Sequence, residues 1–129
     1  MSFNWFEYLG LAQQLAGKAQ ISATQESRLR SAISRAYYAA FIIARNHLRD
    51  GESISIPEKQ THKFVIEQFK NSSEERCQKI GKKLVRLRFS RNKADYDDRL
   101  DRLPEQTKFM LKLANKTISD IQNLGSDSS

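Results

Sequence analysis

A chain of 129 residues is long enough to bury one core and too short for two, so one domain over residues 1–124 and a disordered tail at 125–129 are expected. Charged residues at 29% beside 39% apolar ones, with no apolar run that could span a bilayer, exclude a membrane protein and any membrane partner. A net charge of +7 points to polyanionic partners such as RNA, DNA or nucleotides.

Almost the whole chain carries helical periodicity, and no segment alternates apolar and polar residues long enough for a strand. The pattern predicts a first helix from about Trp5 to Ala19, capped by Asn4, with Phe6, Leu9, Ala12, Leu15 and Ala16 facing inward. A long central helix runs from near Thr24 to about Asp50 and stops at Gly51. Its apolar positions cover more than one stripe, which requires neighbours on two sides. After the loop from Glu52 to Gln60 a short helix starts past Thr61, its expected cap, and buries Val65, Ile66 and Phe69. The segment Ser72-Ser73-Glu74-Glu75 has the spacing of a capping box and opens a basic helix. A last helix runs from near Pro104 to about Leu124.

The basic helix concentrates the charge. From Arg76 to Lys93 it holds eight basic side chains and no acid, and the sign then reverses at Asp95, Asp97, Asp98 and Asp101. Cys77, Ile80, Leu84 and Leu87 form its apolar stripe, and the same step continues to Arg91 and Ala94. A guanidinium on a buried stripe costs several kcal/mol unless something negative meets it. Two partners fit: a carboxylate of the protein, with Asp95 one turn away, or a bound anion. On the central helix Ser31, Arg35 and Tyr38 set a hydroxyl, a cation and a phenol along one side, while Tyr37 reads as a core residue with a polar tip.

Cys77 is the sole cysteine, which excludes an internal disulfide, and with only His47 and His62 beside it a Cys/His zinc site is not expected. No cofactor or metal is expected. His62 at a helix start reads as an exposed or capping residue, and His47 as one that complements a helix C-terminus. Met1-Ser2-Phe3-Asn4-Trp5 has none of the parts of a signal peptide, which makes the cytoplasm the expected compartment.

Ser34-Arg35-Ala36-Tyr37-Tyr38-Ala39-Ala40-Phe41, then Thr61-His62-Lys63, then Arg91-Asn92-Lys93-Ala94-Asp95-Tyr96, together resemble the small single-domain prokaryotic branch of the HEPN-domain proteins, over about residues 22–124. The resemblance implies an all-α, up-and-down bundle of four to five helices that forms a homodimer with an arginine-lined cleft between protomers. It implies a role in toxin-antitoxin or defence systems, binding of RNA or a nucleotide, and a nucleotidyltransferase partner. Active members cleave RNA without metal, using an arginine and a histidine four to six residues apart. Arg91 matches that arginine and Asn92 the polar residue after it, but the histidine slot holds Tyr96.

The expected site is therefore Arg91, Tyr96 and Asp95 for chemistry, with Arg35, Tyr38, Arg88 and Asn92 for RNA or nucleotide binding. Cleavage needs a base, an acid and positive charge at the phosphorane. Arg91 supplies only the charge, and a tyrosine with an ordinary pKa near 10 is a poor base. In a continuous helix, positions five apart diverge by about 140°, so Arg91 and Tyr96 meet only across a dimer or through a break. Three readings follow: a HEPN-like binding subunit of a two-component system; an active metal-independent endoribonuclease in which Tyr96, Asp95 or His62 replaces the histidine; and a structural adaptor whose basic helix contacts a protein.

Overall fold

The computed structural model describes residues 3–17 and 24–126, apart from the side chain of Ser126. Among them the chain is all-helical: α1 (Phe6–Ala16), α2 (Gln25–Asn46), α3 (Thr61–Lys70), α4 (Glu75–Tyr96) and α5 (Leu103–Ser126). None of these helices is long and apolar enough to cross a membrane.

The bundle is organised around α2. Thr24 starts it, with Oγ1 accepting from Ser27 N at 3.2 Å. Leu29, Ile33, Ala36, Tyr37, Ala40, Phe41 and Ala44 are all buried, so the helix is apolar on more than one side and packs against α1, α4 and α5. The alanines matter because they let neighbouring backbones approach α2 closely without overfilling the core. The α-helical part ends at Asn46, and the expected stop at Gly51 is reached through a different turn. That turn, His47–Gly51, widens into a π-helical one, closed by Glu52 N donating to His47 O at 3.1 Å.

Helix α3 is set by a tight entry. Gln60 takes a left-handed conformation at φ 54°, and the Thr61 hydroxyl donates back to Pro57 O at 2.9 Å. Thr61 is thus the first helical residue, not the cap expected from the sequence. Val65, Ile66 and Phe69 face the core, and α3 lies chiefly along α4. The crossing is close at Gly81, where a Cβ would sit 2.7 Å from the backbone nitrogen of Lys70. Only glycine fits there.

Helix α4 buries Cys77, Ile80, Leu84, Leu87 and Ala94, the stripe expected from spacing. Its N-cap is Glu74, and Ser72 Oγ accepts from Glu74 N at 3.1 Å, so the expected capping box does not form. Its C-terminal end is held by Arg30 of α2, whose guanidinium donates to Ala94 O at 3.1 Å and Asp97 O at 2.6 Å. Lys83 bonds Asp120 at 2.9 Å and ties α4 to α5. Burial pushes the Asp120 carboxyl up, but hydrogen bonds from Lys116 and Lys83 outweigh it and hold it below the usual carboxylate range.

Three further differences concern the ends. Trp5 rather than Asn4 is the N-cap of α1, although Asn4 Oδ1 accepts from Phe6 N at 3.1 Å. Phe6, expected to face inward, is 43% exposed, because α1 lies at the edge of the bundle and buries Ala12 against α2 instead. Gly125 and Ser126 continue α5 rather than opening the tail, and α1 ends at Ala16, short of the expected Ala19, because Gly17 leaves the helix in an extended conformation; residues 127–129 lie outside the described residues.

Candidate functional site

The polar groups gather where the middle of α2, the start of α3 and the last turns of α4 meet. Tyr37 is fully buried on α2, and its hydroxyl lies 2.6 Å from Nδ1 of His62, the second residue of α3. His62 stacks on Phe41, with ring centroids 3.9 Å apart and planes 12° off parallel, so the imidazole is fixed in position and direction. The expectation of an exposed or capping histidine is corrected: His62 is half-buried among aromatic rings.

Two arginines approach from α4. Burial, then the charges of Arg88 and Arg91, push the His62 imidazole down to about 4 from its ordinary 6.5, so it is neutral at physiological pH. Burial likewise drives the Tyr37 phenol well above its ordinary range, against the lowering effect of the same arginines. The hydroxyl therefore keeps its proton, and the neutral imidazole carries a single one. With the hydroxyl donating to Nδ1, the imidazole proton sits on Nε2 and His62 is a neutral donor.

Arg91 sits on the apolar stripe with its side chain 18% exposed, and of the partners foreseen for it the carboxylate of Asp95 is beside it. Its guanidinium lies 5.4 Å from the Tyr38 ring centroid and 5.7 Å from that of Tyr37. Nε is 3.0 Å from Asp95 Oδ2, but its N–H is not aligned as a hydrogen bond, so the contact is charge pairing without a donated proton. Nη1 donates to Asn92 Oδ1 at 3.1 Å. Arg88 is less satisfied: its Nε is buried with no hydrogen-bond partner, and no acid pairs with it among the described residues. Two guanidinium charges against one carboxylate leave the site with a surplus positive charge.

Of the residues expected from sequence, Arg88, Arg91, Asn92, Asp95 and Tyr38 come together here. Arg35 does not join them directly. It rests over the Tyr8 ring at 5.4 Å and lines a neighbouring cleft of about 400 Å³ with Ser27, Ser31, Ser34 and Asp95. Tyr96 is 76% exposed, and α4 runs unbroken from Arg91 to Tyr96, so the two diverge within one protomer. Tyr37 was not assigned to the site, and His62 entered only as one of three substitutes for the missing histidine. The usable signal was the buried phenol, whose hydroxyl had to find a partner. His47 lies elsewhere, 3.7 Å from Glu52. No group of three or more His, Cys, Asp and Glu placed to hold a metal occurs among the described residues.

No protein-family model, curated protein or solved structure gives a significant match to the chain.

Proposed function

We propose that this chain is a HEPN-like subunit of a prokaryotic toxin-antitoxin or defence-type system, acting as a homodimer with a nucleotidyltransferase partner and binding RNA or a nucleotide through Arg88 and Arg91. The observation that carries the binding role is Arg88, a partly buried guanidinium with an unpartnered Nε beside a neutral histidine. A phosphate would supply the missing acceptor and neutralise the surplus charge, with the Nε2 proton of His62 as a further donor. Asn92 and Asp95 hold Arg91 in register by its two ends. The test is fluorescence anisotropy of a labelled single-stranded RNA against salt. Affinity should fall steeply with salt, and Arg88→Ala should weaken binding and reduce the slope of log affinity against log salt by about 1. Binding unaffected by either would end the reading.

A second reading is a metal-independent endoribonuclease in which His62, not Tyr96, serves as the acid-base group. It is favoured by the placement of His62 beside Arg88 and Arg91, charges of the kind that stabilise a phosphorane. Incubation of an RNA pool with chelator, with and without Arg91→Ala, separates the two. Cleavage abolished by the substitution supports the enzyme; intact but bound RNA supports the binding subunit.

A further inference from the structure

On the outer side of the α3–α4 pair a groove of about 300 Å³ is lined by residues including Lys63, Lys70, Val85, Arg88, Phe89 and Asn92. Phe89 is 65% exposed and Val85 40%, although α4 fills the core with its other face. The Lys93 ammonium stands 5.3 Å from the Phe89 ring centroid. An exposed phenylalanine on a helix that carries no acid from Arg76 to Lys93 is an aromatic face set in positive potential. Among the groove residues three cations, Lys63, Lys70 and Arg88, stand against Glu67. A protein partner with an apolar face would leave these cations desolvated and unpaired. A nucleobase with its phosphate satisfies both: the base stacks on the ring and the phosphate meets the cations. The volume is at the lower end of the roughly 300–1,000 Å³ range of ligand pockets, which suits one nucleotide.

We infer that Phe89 is a stacking platform for one unpaired base of single-stranded RNA, with the adjoining phosphate held by Arg88 and Lys63. The inference rests on the proposed RNA-binding function and extends it by a base-contacting subsite, joined to the Tyr37–His62 site through Arg88. Paired bases in a duplex present no free face to the ring, so the subsite selects single strands.

The experiment measures anisotropy of a short fluorescein-labelled single-stranded oligoribonucleotide and of a hairpin duplex of the same sequence, with wild type, Phe89→Ala, Phe89→Trp and Arg88→Ala. Phe89→Ala should bind the single strand about 5- to 150-fold more weakly, the loss of one stacked base, with its salt slope unchanged. Phe89→Trp should restore binding, and the weaker binding of the duplex should not respond to either change. If Phe89→Ala binds like wild type while Arg88→Ala is impaired, the platform is wrong and the phosphate reading stands. If wild type binds no RNA, both fall. A shift of oligomeric state in Phe89→Ala, read by sedimentation, would assign the groove to a second copy of the chain and overturn the inference.

Discussion

Protonation of His62 should destabilise the fold, and the size of that effect follows from its surroundings. The imidazole titrates at an ordinary 6.5 in the unfolded chain and at about 4 in the folded one. Between these values the unfolded state binds more protons, so stability is full above pH 6.5 and is lost as pH falls toward 4. The whole displacement corresponds to at most about 3 kcal/mol. His62 is only half-buried, and solvent screening of Arg88 and Arg91 reduces this to about 1–2 kcal/mol. The assay is urea unfolding followed by far-ultraviolet circular dichroism at a series of pH values, for wild type and for His62→Asn. The asparagine amide oxygen can take the Tyr37 hydroxyl proton without titrating. Subtracting the two profiles removes the carboxylates that titrate in the same window, and the difference should fall by about 1–2 kcal/mol between neutral pH and pH 4. Parallel profiles would refute the account of His62 as a desolvated imidazole beside two guanidinium groups.

Tyr37→Phe removes the hydroxyl 2.6 Å from His62 and leaves a half-buried nitrogen unsatisfied, which should cost about 1 kcal/mol in urea unfolding. The acid sensitivity of the variant should persist, because burial and the arginines hold the imidazole down rather than the phenol. Gly81→Ala places a methyl group against the Lys70 backbone, which no rotamer change can relieve. Overpacking should outweigh the gain in helix propensity for a net loss of about 1–2 kcal/mol. It should also move α3, so that histidine titration by NMR finds His62 nearer its ordinary value.

Helix periodicity made the bundle legible because the core is built from runs that repeat every three or four residues. The stripe from Cys77 to Ala94 was readable in full, including Arg91 as its charged exception and Asp95 as one of its two foreseen partners. Contacts across the chain were not readable. Tyr37 and His62 are 25 residues apart, and their bond depends on how α3 docks on the bundle, where Gly81 permits its close approach to α4. Local signals failed where the helix started elsewhere than their spacing assumed: Ser72 cannot complete a capping box when Glu74 is the N-cap, and Thr61 cannot cap a helix of which it is the first residue. Phe6 has the spacing of a core residue, but its helix packs at the edge of the bundle and turns that residue to solvent.

The binding and ribonuclease readings part at one proton. A general base must present an unprotonated nitrogen to the 2′-hydroxyl. With the Tyr37 hydroxyl donating to Nδ1, the remaining nitrogen of His62 carries the proton and can only donate. To act as base, the imidazole would have to hold its proton on Nδ1 and donate it to the Tyr37 oxygen, which would oblige a fully buried hydroxyl to find another acceptor; none is present among the described residues. A pKa near 4 points the same way, since a base so weak has little driving force to take a proton from a sugar hydroxyl at neutral pH. Long-range nitrogen–proton correlation NMR of the histidine rings should therefore show His62 as the Nε2-protonated tautomer, unchanged when RNA is added. An Nδ1-protonated ring in the RNA complex would free Nε2 as a base and move the assignment to the ribonuclease.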